Sequence, residues 1–386
     1  MNRSVREAFL PPSRLLLGPG PSPVAPEVLS AMAGTTIGHL DPAFIGLMTE
    51  IKTMLQMAFA TTNDVTFAVA GPGSLGMDAC ILNLVEQGDT ILIARNGVFG
   101  TRMCEVAVRG GAKVIPLDFE WGMPVDPHEI DKALSAHPET KFVAFVHAET
   151  STGVASDAAA IAAVARKHGA LTIMDAVTSL GGIPIKLDEW GIDAVYSGSQ
   201  KCLSCPPGLS PVSFSPRAVE HIKQRSSKVL SWFLDITQVM AYWGGDKGRA
   251  YHHTAPVNSL YALHESLRRL HAEGLEQSFA RHRAAHLHLL TGLSSLGIEL
   301  LVDEAHRLPQ LNAITIPQGV NDALFRSTLL NEHNIEIGAG LGPLTGKIWR
   351  IGLMGEGARI ENVDRVLSAM RAVISGPNPQ TLPLAS

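Results

Sequence analysis

The sequence predicts a doubly wound α/β domain followed by a smaller α+β domain. Between about residues 65 and 215, short apolar runs rich in Val and Ile alternate with amphipathic segments; the runs are VTFAVAG, DTILIAR, AKVIPL, KFVAFVHAET, LTIMDAV, AVYSGS and LSPVSFS. Strands that are apolar on both faces and separated by helical patterns are typical of a mostly parallel sheet covered by helices on both sides. A chain of 386 residues, 46% of them hydrophobic, is also long enough to bury two cores. We therefore predict a mostly parallel seven-stranded sheet in the large domain.

Helix ends are readable at several points along the chain. Ser74 is predicted to open a helix that closes at residues 87–88, and Asp157 a helix that closes at residues 168–169. The charged stretch from about residue 260 to 290 is predicted to be one long bridging helix. The later apolar runs IELLV, QLNAITIP, IEIGAGL and IWRIGLM, with helices between them, predict the smaller domain. The resulting division is an N-terminal arm (1–20), a large domain (21–272) and a small domain (273–386).

Composition excludes several classes of function. The formal charge of −5 and the absence of a basic cluster interleaved with aromatic residues provide no footprint for nucleic acid. No run reaches the roughly 18 consecutive apolar residues that a membrane helix needs. Four cysteines are too few for a disulfide framework, and the opening MNRSVREAFLPPSR lacks the apolar core of a signal peptide. We expect a cytoplasmic protein that acts on small molecules, without nucleic-acid or membrane partners.

Ligands of open α/β sheets bind beyond the carboxyl ends of the strands, where connecting loops meet. The loops that follow the predicted strands are residues 71–74, 96–100, 147–153, 175–179 and 197–201. The first of them begins GPGSLG, which formally matches a dinucleotide fingerprint. That fingerprint expects an acidic residue at the end of the next strand, which instead ends in Arg95 and Asn96. A glycine-rich turn at a helix N-terminus also suits a phosphate, or is simply a structural turn.

Asp175 and Lys201 follow neighbouring predicted strands of the sheet. An unpaired carboxylate at the mouth of an apolar strand is costly, so Asp175 should face a cation or strong donor such as a protonated pyridine nitrogen, or else cap the next turn. Lys201 alone could be a surface charge. However, a phosphate-binding helix end, a carboxylate and an amine whose pKa burial could lower are together the parts that a pyridoxal phosphate enzyme needs.

The cysteine and histidine pairs are weaker signals. Cys202 and Cys205 have the spacing of half a metal site, but no second pair accompanies them, so we predict no metal and interpret them as packing residues. His282 and His286 share a helix face, but flanking arginines would repel a cation, so we interpret them as surface residues. The pair at residues 252–253 lies in a loop-like stretch and could serve packing or a cofactor loop.

Arg350 lies in the apolar run IWRIGLM. A guanidinium there needs an anionic partner, and its fork matches a carboxylate with two hydrogen bonds. Either a substrate carboxylate or an internal salt bridge satisfies this requirement.

With these motifs in hand, the chain resembles the class V members of the fold-type I pyridoxal phosphate aminotransferases, most closely the alanine/serine–glyoxylate type. The resemblance covers nearly the whole chain, from LLLGPGPSPV through HAETSTGV, YHHTAPVNSLYAL and GLGPLTGKIWRIGLMG. SGSQK followed by PPG, together with DAVTSLGG, is its most specific part. It implies the fold-type I transferase architecture and pyridoxal 5′-phosphate as the cofactor.

The resemblance also implies a role for each site residue. Lys201 would form the covalent imine with the cofactor, Asp175 would pair with its pyridine nitrogen, and Arg350 would clamp the substrate carboxylate. The remaining implied cofactor contacts are Gly73, Ser74 and Gln200 at the phosphate, Thr150 at the ring hydroxyl, Val177 and Phe99 on the two ring faces, and Tyr251 and Thr254 reaching the phosphate from the partner subunit. The last two make a homodimer a requirement of the site.

The implied reaction is a ping-pong transamination from alanine or serine to glyoxylate. The main alternative is a purine-catabolic enzyme that uses ureidoglycine as the donor, because the motifs do not separate these members. An NAD-dependent dehydrogenase built on GPGSLG is a remote alternative, and a non-catalytic protein that binds pyridoxal phosphate is another. The sequence leaves the preferred amino donor open, since a methyl and a hydroxymethyl group differ by only about 1–3 kcal/mol in a pocket.

Overall fold

The computed structural model describes residues 8–244 and 249–375. The first seven residues of the predicted arm and the last eleven of the predicted small domain lie outside the described residues. The strands are β1 (Leu15–Leu16), β2 (Val65–Ala70), β3 (Thr90–Arg95), β4 (Lys113–Asp118), β5 (Thr140–Val146), β6 (Ala148–Glu149), β7 (Val154–Ala155), β8 (Leu171–Asp175), β9 (Ala194–Tyr196), β10 (Leu209–Phe214), β11 (Leu311–Thr315), β12 (Ile335–Glu336), β13 (Gly338–Ala339) and β14 (Ile348–Gly352).

The helices complete this inventory. They are α1 (Pro26–Met32), α2 (Pro42–Phe59), α3 (Gly73–Leu84), α4 (Val98–Arg109), α5 (Pro127–Ala136), α6 (Ala158–Lys167), α7 (Leu187–Trp190), α8 (Pro216–Lys223), α9 (Ile236–Trp243), α10 (Val257–Glu273), α11 (Leu275–Ser294), α12 (Asp322–Glu332) and α13 (Ile360–Ser375). Within the described ranges, none of these helices has the length and apolar character needed to cross a bilayer.

All seven apolar runs predicted as strands form a single sheet, in the order β2-β10-β9-β8-β5-β3-β4. Only β10 is antiparallel to its neighbours β2 and β9, and the other neighbouring pairs are parallel. Strands β8, β9 and β10 are buried along their whole length, because helices cover both faces of the sheet. The α/β prediction is confirmed. Since β2, β3, β5, β8 and β9 run in one direction, the loops after them open at the same edge.

Three local predictions differ from the structure. The helix that opens near Ser74 ends at Leu84, because Val85 is extended with φ −90° and ψ 130°. The predicted bridging helix is two helices, since Gly274 between them takes φ 93° and ψ 139°, a left-handed region that glycine tolerates. The run IELLV is not a strand; in it Leu300 forms one isolated bridge. The helix predicted from Asp157 is confirmed, and that side chain caps it through Ala160 N at 3.0 Å.

The smaller domain contains the antiparallel sheet β11-β14-β13. At the centre of its core, Trp349 stacks on Phe325 with ring centroids 4.0 Å apart. Part of this core comes from the far end of the sequence. Strand β1 pairs in parallel with β12, and both Leu15 and Leu17 lie in the hydrophobic cluster that contains Trp349. The N-terminal segment is therefore built into the C-terminal core, which the sequence pattern did not predict.

We expect Leu17→Ala to lower the free energy of unfolding by about 2–5 kcal/mol, because it removes a fully buried side chain and leaves a cavity. Urea unfolding followed by tryptophan fluorescence measures this loss, since Trp349 lies in the same core. Leu287→Ala is the matched control: Leu287 is 46% exposed on α11, and its truncation should change stability by less than about 0.5 kcal/mol. Equal losses in the two variants would contradict a structural role for the arm.

Candidate active site

The predicted site is centred on Asp175, the last residue of β8. Its side chain is buried, and Oδ1 accepts a hydrogen bond from Val177 N at 2.8 Å while Oδ2 accepts one from the Tyr196 hydroxyl at 2.7 Å. Burial raises the pKa of Asp175 to about 6, and the two hydrogen bonds and the nearby Lys201 charge oppose that rise. A carboxylate is thus held inside the protein and fixed in orientation by two donors.

Lys201 lies five residues beyond the end of β9, the strand next to β8. Burial lowers the pKa of its amine to about 8, and the positive charge of Arg350 adds to this effect while Asp175 opposes it. Its Nζ donates a hydrogen bond to the carbonyl oxygen of Pro19. At physiological pH a larger fraction of such an amine is neutral than of a surface lysine, so it is more readily available as a nucleophile and base.

The N-terminal segment from 18 to 22 holds Lys201 in place. Gly20 has φ 111°, and a Cβ there would lie 2.5 Å from Lys201 Nζ, so only glycine fits. Two residues later, Ser22 N donates to Gln200 O at 2.9 Å and Ser22 Oγ to Lys201 O at 2.7 Å. The same segment that joins the C-terminal core therefore also contacts the reactive amine. Sequence analysis did not assign it to the site.

The first turn of α3 is open toward this edge of the sheet. Pro72 at its N-cap provides no side-chain hydrogen bond, so the helix begins with uncapped N–H groups at its positive end. A Cβ at Gly73 would lie 3.0 Å from Val177 Cγ2, which leaves little room for a side chain. Gln200 Oε1 is buried and has no partner within the described chain. Such a helix end is suited to a phosphate group.

A cation lies beside this helix end. Arg102 on α4 donates from Nη1 to Ser74 Oγ at 3.3 Å, and its guanidinium carbon lies 5.0 Å from the centre of the Phe99 ring. Its charge lowers the pKa of Lys201 and of Asp175. Arg102 was not singled out from the sequence, because one arginine on an amphipathic helix is usually a solvated residue.

Arg350 is buried on β14 and faces the loop after β5. Its Nε donates to Ala339 O at 2.7 Å and its Nη1 to Thr150 O at 3.1 Å. Burial lowers the pKa of Arg350 to about 10, which the negative charge of Glu149 counteracts. Both hydrogen bonds go to neutral carbonyls, and no ion pair involves this arginine among the residues that the structure covers. The internal salt bridge that the sequence left open is therefore not present there.

Glu149 is the main site residue that sequence analysis missed. Its carboxylate is fully buried and accepts hydrogen bonds from Ser151 N (3.0 Å), Ser151 Oγ (2.6 Å) and Phe99 N (3.2 Å). Burial raises the pKa of Glu149 to about 7 against these hydrogen bonds, and Asp175 adds to the rise. The available signal was an acidic residue three positions after the apolar strand KFVAFV, in a loop at the same edge of the sheet as Asp175, which directly follows LTIM.

Tyr251 and Thr254 are not brought to the other predicted residues of the same chain. Both are exposed, and the Tyr251 ring lies 5.5 Å from that of His39. On the same loop, His252 stacks on Trp232 with ring centroids 4.3 Å apart. The packing interpretation of this histidine is therefore supported. Any contact of Tyr251 with a cofactor requires a second subunit.

The prediction that His282 and His286 are surface residues is wrong. His282 is fully buried; its Nδ1 donates to Ser278 O at 2.7 Å and its Nε2 accepts from Gly355 N at 2.9 Å. His286 is buried and lies 2.6 Å from Asn312 Oδ1. The face of α11 that carries them packs on the protein, while the flanking Arg281 turns to an ion pair with Glu273.

Cys202 and Cys205 are buried and unpaired. Within residues 8–244 and 249–375, no group of three or more His, Cys, Asp or Glu side chains is arranged to hold a metal ion.

Comparison with known proteins agrees with this geometry. The family model for class V aminotransferases matches residues 16–359. An alanine–glyoxylate aminotransferase of Rattus norvegicus is 42% identical over 366 residues, 94% of this chain and 88% of that protein. An (S)-ureidoglycine–glyoxylate transaminase of Bacillus subtilis (strain 168) is 38% identical over 389 residues, covering 96% and 93%. The crystal structure of an alanine–glyoxylate aminotransferase from Nostoc sp. has a TM-score of 0.93 and 46% identity, covering 95% of this chain and 97% of that one.

The cofactor of this family, pyridoxal phosphate, fits the residues present. The uncapped helix end beside Gly73 suits its phosphate, the Asp175 carboxylate its pyridine nitrogen, and the Lys201 amine its aldehyde. The resemblance and the fold-type I architecture inferred from the sequence are thereby confirmed. With this fit and a match along almost its full length, the chain is a pyridoxal phosphate-dependent aminotransferase and belongs to class V.

Proposed function

We propose that the enzyme transfers the amino group of alanine or serine to glyoxylate, giving glycine and pyruvate or hydroxypyruvate. The observation that supports substrate binding is the position of Arg350, a buried guanidinium that has no ion pair within residues 8–244 and 249–375 and whose charge acts on Lys201. Such a group binds a carboxylate, and both the amino donor and the keto acceptor carry one. The choice of substrates is supported by the relatives from Rattus norvegicus and Nostoc sp., whose names contain alanine and glyoxylate.

Each residue of the site has a separate role in the reaction. Bound pyridoxal phosphate supplies a sink for the electrons released when the substrate Cα proton leaves. Lys201 would anchor the cofactor, and its freed amine would carry the proton from the donor Cα to the cofactor carbon that Lys201 had held, and in the second half-reaction from that carbon to the carbon supplied by glyoxylate. Asp175 would hold a proton on the pyridine nitrogen, because a buried carboxylate is stabilised by a cationic partner. Arg350 can bind the carboxylate of each substrate in turn, as a ping-pong reaction requires.

Ureidoglycine is a second candidate donor. The observation that favours it is the 38% identity to the Bacillus subtilis transaminase, over 96% of this chain. Arg350 does not separate the two donors, because each carries an α-carboxylate.

We also propose a homodimer in which Tyr251 and Thr254 reach the partner's cofactor phosphate. The surface beside them supports it: Tyr251 is 65% exposed, and Leu230 and Trp232 are exposed on a neighbouring segment. An exposed apolar patch of this kind is typical of a protein interface.

The donor assignment predicts that alanine or serine gives the fastest glyoxylate-dependent glycine formation. We expect each to exceed freshly generated ureidoglycine in kcat/KM, with alanine and serine differing by no more than about 200-fold. The measurement is a donor panel at fixed glyoxylate. A higher kcat/KM with ureidoglycine would identify ureidoglycine as the amino donor in place of alanine or serine. No glycine formation with any of the three donors would contradict the proposed function.

The lowered pKa of Lys201 predicts how cofactor capture depends on pH. Only the neutral amine attacks the aldehyde, so capture should be slow at low pH and rise to a plateau with a midpoint near the pKa of about 8. Stopped-flow absorbance after mixing cofactor-free protein with pyridoxal phosphate follows this rate. Lys201→Ala should show no borohydride-stable adduct and no turnover, whereas Lys186→Ala, at an exposed ion pair, should behave as wild type. A midpoint near 10.5 would contradict the buried environment.

The composite site predicts complementation between two inactive variants. Lys201→Ala lacks the amine, and the double variant Tyr251→Ala, Thr254→Ala lacks the contacts to the partner's phosphate. Mixed dimers contain one site with all three wild-type residues, so refolding the two variants together should restore turnover that neither shows alone. Each variant refolded separately is the control. Failure to regain activity, with mixed dimers demonstrated by differential tagging, would place these residues in their own subunit's site.

A further inference from the structure

Helix α4 is capped by a side chain from another strand. Its N-cap residue, Gly97, has no side chain to satisfy the N–H groups of the first turn. Phe99 N instead donates to Glu149 Oε2 at 3.2 Å, and Val98 N to Ser151 Oγ at 3.1 Å. A carboxylate at a helix N-terminus is also favoured by the helix dipole. Glu149 and Ser151 thus do for α4 what an aspartate or serine N-cap does elsewhere.

Gly97 and the Glu149 carboxylate are packed closely against each other. A Cβ at Gly97 would lie 2.3 Å from Glu149 Cδ and 2.4 Å from Ser151 Oγ, so the carboxylate occupies the space that a side chain would need. The other oxygen of Glu149 accepts from Ser151 N and Oγ at 3.0 and 2.6 Å. Both carboxylate oxygens are therefore bound, and the loops after β3 and β5 are joined at one point.

Each loop carries a residue of the proposed site directly beside this junction. Phe99, whose N–H is bound by Glu149, is the aromatic residue proposed for one face of the cofactor ring. Thr150, the next residue after Glu149, accepts a hydrogen bond from Arg350 Nη1 at 3.1 Å. The charge of Glu149 also acts on Arg350, which has no ion pair among the described residues, and the charge of Asp175 raises the pKa of Glu149.

We propose that Glu149 is a positioning residue that sets Phe99 against the cofactor ring and Thr150 against Arg350. The inference rests on the cofactor and the carboxylate clamp of the proposed function, and not on which amino donor is used.

The test compares Glu149→Gln and Glu149→Ala by two readouts. The first is the dissociation constant of pyridoxal phosphate, measured by titrating cofactor-free protein without any substrate. Glu149→Ala loses the three hydrogen bonds that the carboxylate accepts and should weaken cofactor binding by about tenfold or more, the usual effect of losing hydrogen bonds to a charged group. Glu149→Gln keeps an acceptor oxygen but turns an amide N–H₂ toward a donor, so its loss should be smaller.

The second readout separates positioning from general destabilisation. Glu149→Gln retains the shape of the side chain and one acceptor oxygen, so the holoenzyme's KM for the amino donor should stay close to the wild-type value. Glu149→Ala releases Thr150, whose carbonyl binds Arg350, and should raise that KM. A purely structural role would lower the melting temperature of both variants without changing KM or cofactor affinity well below that temperature.

Asp126→Ala is the matched control. Asp126 caps α5 through His128 N at 2.8 Å on the exposed surface, so its loss removes a helix cap without touching the site. We expect a comparable fall in melting temperature with unchanged cofactor affinity and KM. Wild-type cofactor affinity in both Glu149 variants, or an equal loss of affinity in Asp126→Ala, would overturn the inference.

If Glu149→Ala does not fold, Ser151→Ala removes the two hydrogen bonds that the Ser151 hydroxyl makes, one from Val98 N and one to Glu149. It should weaken cofactor binding moderately. Because the cofactor titration needs no donor, an error in the proposed substrates leaves this test intact.

Discussion

The burial of the Asp175 carboxylate and the Lys201 amine at one edge of the sheet is the constraint on which the rest of the site depends. Burial drives both groups toward neutrality, raising the pKa of Asp175 to about 6 and lowering that of Lys201 to about 8. For Asp175, hydrogen bonds from Val177 and Tyr196 oppose this desolvation first, and the charge of Lys201 adds to them. Tyr196 and Val177 fix the carboxylate, and the adjacency of β8 and β9 in the sheet brings both side chains to one edge.

Around these two residues, buried charged side chains bind backbone groups of the loops. Glu149 binds the first turn of α4, and Arg350 binds the carbonyls of Thr150 and Ala339. These side chains come from β6 and β14, so the edge of the large sheet and the three-stranded sheet β11-β14-β13 meet through hydrogen bonds to main-chain atoms. Such bonds fix loops more firmly than contacts between flexible side chains do, which suits a site that must hold a cofactor through two half-reactions.

The sequence was sufficient for the large sheet, because runs such as LTIMD and VTFAVA are apolar on both faces and separated by helices with readable caps. It was also sufficient for Asp175 and Lys201, since the carboxyl ends of parallel strands are where ligands bind. The sequence was not sufficient where tertiary packing determines whether a side chain is buried or where a helix ends. The period of α11 puts His282 and His286 on one face, but nothing local says that this face is covered. Gly274 is compatible with a helix interior until its left-handed φ is seen. In the sequence, Glu149 looks like an ordinary solvated glutamate. Only the fold shows that the loop after β3 places Gly97 against its side chain.

The N-terminal segment gives the chain an unusual order of assembly. Strand β1 needs β12 as its partner, and the carbonyl of Pro19, a few residues further on, accepts the hydrogen bond from Lys201 Nζ. During synthesis on the ribosome, residues 15–20 are made more than 300 residues before β12, because Leu15 pairs with Ile335. Closing so long a loop is slow relative to forming local helices. The strands of the large sheet all precede β12 in the chain and can pair while translation continues, whereas the reactive lysine acquires its final surroundings only after β12 has been made.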